Sequence, residues 1–179
     1  MEKMEVRFAG TGGQGIILLG ILTAEAATLA GKYATQGSYY GAQVRGGITS
    51  ADVVLGKDWI PFPYVEKSDL LVALTPESLD HYISSAKRGS IIIVDENTII
   101  LEDEDELKKN FNVIKVPLVH KCFERFNSNF LLNIVTFGFT LRFFKDFFSE
   151  EEAITALRNN VPEKYWEEEL AAFRIGLSL

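Results

Sequence analysis

A chain of 179 residues, 47% hydrophobic and 24% charged, has the length and balance of one folded domain with its own core, and residues 1–179 read as a single unit. Its formal net charge of −7 argues against a nucleic-acid binder, which needs a basic face for phosphate, and equally against an anionic membrane surface. One cysteine, Cys122, excludes an internal disulfide framework and any four-cysteine metal cluster within the chain.

The N-terminus enters a strand pattern at once, with no basic segment followed by an apolar one, so no secretory signal is expected. Residues 5–10 read as a short buried strand and residues 10–15 as a glycine loop. Residues 14–30 read as a helix that is apolar on nearly every side, with Gly31 at the cap position and Gly20, Ala24 and Ala27 on one close-packing stripe. Such a helix must be buried on more than one side, which hints at a partner surface. A short second strand is expected at 32–36, a loop at 37–47 and an alternating strand at 48–55. Pro61 and Pro63 mark a connection over 58–67.

The apolar run 70–74 has the character of a buried parallel strand. Thr75 and Pro76 then supply an N-cap and a first helical residue, and that helix is expected to end at Lys87, Arg88 and Gly89. Strands follow at 91–94 and 112–116, separated by a short acidic helix at 103–109. The last third reads as helical. An aromatic-rich helix is expected over 130–144, the longest apolar stretch; Asn133 and Arg142 interrupt it, and it falls short of the about 18 apolar residues of a membrane span. Ser149 and Glu152 have capping-box spacing, and Pro162 opens a final helix with Trp166 and Phe173. Alternating strands and helices predict a Rossmann-like, three-layer α/β domain with a mostly parallel sheet and a helical C-terminal third. A cytoplasmic location is the default for such a chain.

Gly10, Thr11, Gly12, Gly13, Gln14 and Gly15 fit the G-x-G-x-x-G spacing, with a strand before and a helix after. Glycines there permit a tight turn and let backbone N–H groups reach a phosphate at a helix N-terminus. The same glycines also suit a turn that binds nothing. A dinucleotide site wants an acidic residue about 20 positions further on, at the end of the second strand, to hold a ribose. Here that region is Lys32, Tyr33, Ala34, Thr35 and Gln36, without a carboxylate. A second candidate is Tyr40 and Gly41 with Arg45, Gly46 and Gly47, where an arginine between glycines has the chemistry of an anion clamp. Arg45 is also placed to pair with a carboxylate of this chain or of a partner.

Taken together, several motifs give a resemblance that runs nearly the whole length. They are the glycine loop before an apolar helix, Tyr40-Gly41 with Arg45-Gly46-Gly47, residues 65–74, residues 89–95, Asn133, and Ala172-Phe173 with Gly176. In this order the chain resembles the gamma subunit of the 2-oxoacid:ferredoxin oxidoreductases. The resemblance implies a non-catalytic chain that supports assembly and lies near the coenzyme A site. The enzyme itself would decarboxylate a 2-oxoacid to acyl-CoA and pass electrons to ferredoxin. No cofactor would be bound by this chain alone; thiamine diphosphate, iron–sulfur (4Fe-4S) clusters and coenzyme A belong to the complex of alpha, beta and delta chains, with ferredoxin an indirect partner. A lone gamma domain, without a fused cysteine-rich segment, points to the 2-oxoglutarate type. Pyruvate, branched-chain 2-oxoacid and indolepyruvate enzymes carry similar domains. Many members of the family have a proline and a glutamate where this chain has Ala42 and Gln43, so no role for that glutamate carries over. The alternative is a free-standing nucleotide-binding module.

Other residues carry less. His81, His120 and Cys122 are too far apart in sequence to suggest a metal set. The acidic run 102–106 suits a solvated helix start, with a basic partner as the sharper reading. Phe137, Phe139, Phe143, Phe144, Phe147 and Phe148 exceed the needs of a small core, so they are read either as core or as a subunit interface.

Overall fold

The computed structural model describes residues 1–40, 47–62 and 64–179. Among the described residues, six strands form one sheet in the order β2-β3-β1-β4-β5-β6. They are β1 (Lys3–Thr11), β2 (Tyr33–Tyr40), β3 (Ile48–Gly56), β4 (Ser68–Ala73), β5 (Ala86–Asp95) and β6 (Asn112–Val116). Strands β1, β4, β5 and β6 pair in parallel, while β3 runs antiparallel to both β1 and β2. Five strands therefore point one way and only β3 is reversed, so the mostly parallel expectation holds. The reversal is physical: only a short connection joins β2 to β3, and a short connection returns antiparallel.

The helices are α1 (Ile16–Leu29), α2 (Pro76–Tyr82), α3 (Glu104–Asn110), α4 (Leu118–Phe126), α5 (Leu132–Thr140), α6 (Glu150–Asn160) and α7 (Trp166–Ser178). Strand alternation decides which side each covers. Val6, Phe8, Ala51, Val53, Leu70, Val72 and Ile93 pack into the main core with α1 and the C-terminal helices. Ala9, Leu71, Ala73, Ile92 and Val94 face the other way, against α2 and the segment after β5.

Several boundaries differ from expectation. Helix α1 begins at Ile16, because Gly15 takes left-handed φ +69 and acts as its N-cap. β2 continues through Tyr40 into the expected loop, since its pairing with β3 runs from Tyr33–Gly56 to Tyr40–Thr49. Helix α2 stops at Tyr82, followed by a 3-10 turn over Ile83–Ser85. Lys87, Arg88 and Gly89 lie in β5 instead, where Lys87 reaches Asp69 at 2.8 Å. Helix α4 had no counterpart in the sequence reading. Its register is fixed from afar, by Val119 N–H donating to Asp95 Oδ2 at 2.8 Å. The aromatic helix is shorter than expected, ending at Thr140 and continuing as a 3-10 turn.

The phenylalanine cluster resolves toward the core. Phe137, Phe139, Phe144, Phe147 and Phe148 are all buried within the chain, and Phe143 packs against them. Helix α1, apolar all round, keeps Ile21 and Leu29 exposed and is covered by β1, β2 and β3 on one side and by α5 and α6 on the other. Gly20 makes that possible: a Cβ there would lie 2.6 Å from Ala51 Cβ. No helix among the described residues is long and apolar enough to cross a membrane.

Candidate functional site

The carboxyl ends of β1, β2, β4 and β5 lie on one edge of the sheet, where ligands of open α/β sheets gather. The glycine loop occupies this edge between β1 and α1. Gln14 closes it from inside: its Oε1 accepts the Thr11 N–H at 2.8 Å, and its own N–H donates to Thr11 O at 3.2 Å. A Cβ on Gly10 would run into that Gln14 oxygen and into Ile16. Gly12 and Gly13 are exposed, and Gly13 sits at φ +96 with open space beyond it. Gly15 is pressed against the Asn133 side chain, whose amide donates to Gly15 O at 3.5 Å.

Three of the loop's backbone donors are thereby engaged: Thr11 with Gln14, Gln14 with Thr11, and Gly12 with Gly47 O at 3.3 Å. The N–H groups of Gly13, Gly15, Ile16, Ile17 and Leu18 meet no acceptor among the described residues. These five donors lie at the positive end of a fourteen-residue helix, beside two exposed glycines.

The second candidate segment divides. Gly47 and Tyr40 are brought to the glycine loop by strand pairing. Thr49 is the register partner of both Gly10 and Tyr40, so Tyr40 stands two strands, about 10 Å, from Gly10. Tyr40 is exposed. Gly41, Arg45 and Gly46, with Ala42 and Gln43, lie outside the described residues.

A polar site absent from the sequence reading lies on the α2 side of the sheet. Arg7 Nε and Nη2 donate to the two Asp52 oxygens at 2.6 and 2.7 Å, Nη1 donates to Ser85 Oγ at 2.8 Å, and Nη2 also donates to Val65 O at 2.6 Å. Val65 N–H returns a bond to Asp52 at 3.0 Å. The Tyr82 ring covers the guanidinium at 4.7 Å, and its hydroxyl donates to Ser50 at 2.9 Å. A cavity of about 320 Å³ opens over this network, walled by Tyr39, Tyr64 and His81. The signal in the sequence was a lone arginine in an apolar strand and a lone aspartate in another. Because Asp52 neutralises Arg7, the network reads first as a brace holding the 57–67 connection to the sheet.

Most of the other motif residues serve the fold. Asp69 accepts from Glu5 N–H at 2.8 Å and pairs with Lys87. Asp95 accepts from Asn97, Thr98 and Val119. Gly138 and Gly176 let α5 and α7 touch backbone to backbone. Cys122 is buried, and burial pushes its thiol up, the opposite of an activated nucleophile. A cavity of about 650 Å³ is away from the glycine loop, between the end of α5 and the end of α7. Its Arg142 is bound to Phe139 O at 2.9 Å and lies over the Phe139 ring, bracing helix ends.

Against known proteins, residues 5–179 match the family model described as pyruvate ferredoxin/flavodoxin oxidoreductase. The 2-oxoglutarate synthase subunit KorC of Methanothermobacter thermautotrophicus is 35% identical over 180 residues, spanning 99% of this chain and 95% of that protein. Among solved structures, the gamma subunit of a keto/oxoacid ferredoxin oxidoreductase from Geobacter sulfurreducens superposes with a TM-score of 0.84 at 29% identity, covering 99% of this chain and 96% of that one. A 2-oxoglutarate:ferredoxin oxidoreductase from Magnetococcus marinus, solved with 2-oxoglutarate, coenzyme A and succinyl-CoA bound, shares the fold with a TM-score of 0.88 at 21% identity. There the match covers 99% of this chain and 31% of the longer chain.

Proposed function

The chain belongs to the pyruvate ferredoxin/flavodoxin oxidoreductase family as a gamma-type subunit, and from that premise we propose that it serves a 2-oxoglutarate:ferredoxin oxidoreductase. The observation that carries the substrate is the full-length likeness to a 2-oxoglutarate synthase subunit. The overall reaction joins 2-oxoglutarate and coenzyme A, releases carbon dioxide and a proton, and passes an electron pair to ferredoxin. Alpha, beta and delta chains are its partners in the complex, and the cytoplasm is its location.

In this reading the gamma chain supports assembly and faces coenzyme A. The unmatched N–H groups of Gly13, Gly15, Ile16, Ile17 and Leu18 fit a phosphate of that cofactor, being neutral donors at a positive helix end. Gly10, Thr11, Gly12 and Gln14 shape the loop around them, with Tyr40 and Gly47 on its flank; Gly41, Arg45 and Gly46 are assigned to the same site from the sequence motif alone. Coenzyme A supplies the thiol that takes up the acyl group; this chain binds and orients it. A single buried cysteine with a raised thiol pKa does not fit an iron–sulfur cluster, so the clusters, like thiamine diphosphate, fall to other chains.

The test is to purify the native complex through a tag on this chain and assay a panel of 2-oxoacids with coenzyme A and a ferredoxin. The reading expects 2-oxoglutarate to give the highest kcat/KM, and Arg45→Ala to raise the KM for coenzyme A while the complex stays intact. Preference for pyruvate or a branched-chain acid would move the same subunit role to a sister enzyme. A wild-type KM for coenzyme A in Arg45→Ala would remove Arg45 from the site.

A further inference from the structure

On the same sheet edge as the glycine loop lies a groove of different character. The segment 96–103 after β5 and the facing parts of α2 and α3 enclose about 480 Å³ of open space. Leu79 and Ile99 form a buried floor, with Leu101, Leu107 and Phe111 half-buried around it. Ile100 stands 88% exposed at the mouth. The rim is acidic: Asp80, Glu102, Asp103 and Glu106 line it. Lys109 pairs with Glu106 at 2.6 Å, and Asp103 uses one oxygen to cap α3 at 3.0 Å. No salt bridge among the described residues engages Asp80 or Glu102.

An apolar floor inside a negative rim selects its occupant by charge. A polyanion such as a phosphorylated cofactor is repelled from it, whereas an apolar side chain flanked by cations gains both burial and attraction. A second copy of this chain carries −7 itself and is disfavoured at long range. We propose that this groove docks a segment of a partner subunit that presents apolar side chains between lysines or arginines. The proposal rests on the subunit reading above and adds a contact to it, distinct from the glycine loop.

The experiment uses the native complex. Asp80→Lys with Glu102→Lys reverses two exposed rim charges that form no salt bridge among the described residues. Glu2→Lys with Glu163→Lys makes the same net change at exposed carboxylates elsewhere. The wild-type chain is expected to bind its partner subunits less tightly as salt rises. The rim variant is expected to bind about tenfold or more weakly at low salt and to lose most of that salt dependence, while the control pair follows wild type. Ile100→Ser, a change on the surface that folding tolerates, is expected to weaken binding several-fold at every salt concentration. A zero-length carboxylate–amine cross-linker should join Asp80 or Glu102 to a lysine of a different subunit. Unchanged affinity and salt dependence in both variants, with cross-links only within this chain, would overturn the docking site and leave the subunit reading standing. Cross-links between two copies of this chain would overturn the choice of occupant. A wild-type chain that binds none of the subunits would defeat the subunit reading first, and the docking site with it.

Discussion

Arg7 and Asp52 are direct register partners on β1 and β3, and their side chains meet in a bidentate pair beneath the Tyr82 ring. Both are more than nine-tenths buried. Removing one partner leaves a charge without compensation in a dry site, so Asp52→Ala or Arg7→Ala is expected to cost about 3–5 kcal/mol of stability. The double change Arg7→Met with Asp52→Leu should cost much less, because no charge is then stranded. Denaturant unfolding of the three variants checks this; single variants within about 0.5 kcal/mol of wild type would show that the pair does not brace the sheet.

Gly138 and Gly176 give the next prediction. A Cβ on Gly138 would strike Phe173 O, and one on Gly176 would strike Val135 O and the Phe139 backbone N. These obstacles are backbone, not side-chain ends that can swing aside. Alanine at either position should therefore separate α5 from α7 and destabilise by at least about 2 kcal/mol. A thermal melt with near-wild-type Tm for both variants would mean that the two helices are held less closely than the structure has them.

The two positive-φ glycines of the loop separate strain from contact. Gly15→Ala meets both left-handed geometry and the Asn133 side chain, so a loss of about 2–3 kcal/mol is expected. Gly13→Ala meets only the geometry, with nothing near its Cβ, and should cost roughly 1–2 kcal/mol. If the loop faces coenzyme A, Gly13→Ala should also raise the KM for coenzyme A in the assembled enzyme more than it lowers kcat. Equal stability losses at the two positions would discount the Asn133 contact.

Glu169 on α7 is 6% exposed, and its Oε2 has no hydrogen-bond partner among the described residues. Burial, with Glu168 adding like charge, pushes its carboxyl above the ordinary range. The folded chain therefore holds this proton more tightly than the unfolded chain. Below the unfolded pKa both states are protonated and the group is neutral to stability. As pH rises from there toward the folded pKa stability falls, and it stays lower at neutral pH. Glu169→Gln is expected to gain on the order of 1 kcal/mol at pH 7, roughly 2–4 °C in Tm, with the gain shrinking toward pH 3. Melting curves across that range test the sign; a variant less stable at pH 7 would mean that the carboxylate is charged and useful.

Local chemistry was legible where a few adjacent residues decide the outcome. Thr75 does cap α2, with Ser78 N–H donating to it at 3.2 Å, and Ser149 with Glu152 forms the capping box that opens α6. The strand–glycine loop–helix unit stood in the spacing itself. The end of α2 was misread because Lys87, Arg88 and Gly89 imitate a helix terminus, while pairing of Ser68 with Ala86 already draws the chain into β5. Helix α4 was missed because its placement depends on Asp95, twenty-four residues earlier.

By itself the sequence determined the α/β class, the short buried strand at residues 5–10, and the strand–glycine loop–helix unit that follows it. These follow from period and backbone freedom, which short stretches of chain carry within themselves. Only the tertiary structure decided that the phenylalanines fill the core, that Arg7 finds Asp52, that Asn133 presses on Gly15, and that α7 can lie directly on α5. Each of those joins residues distant along the chain, and their meeting depends on strand order and helix packing, which no local pattern encodes.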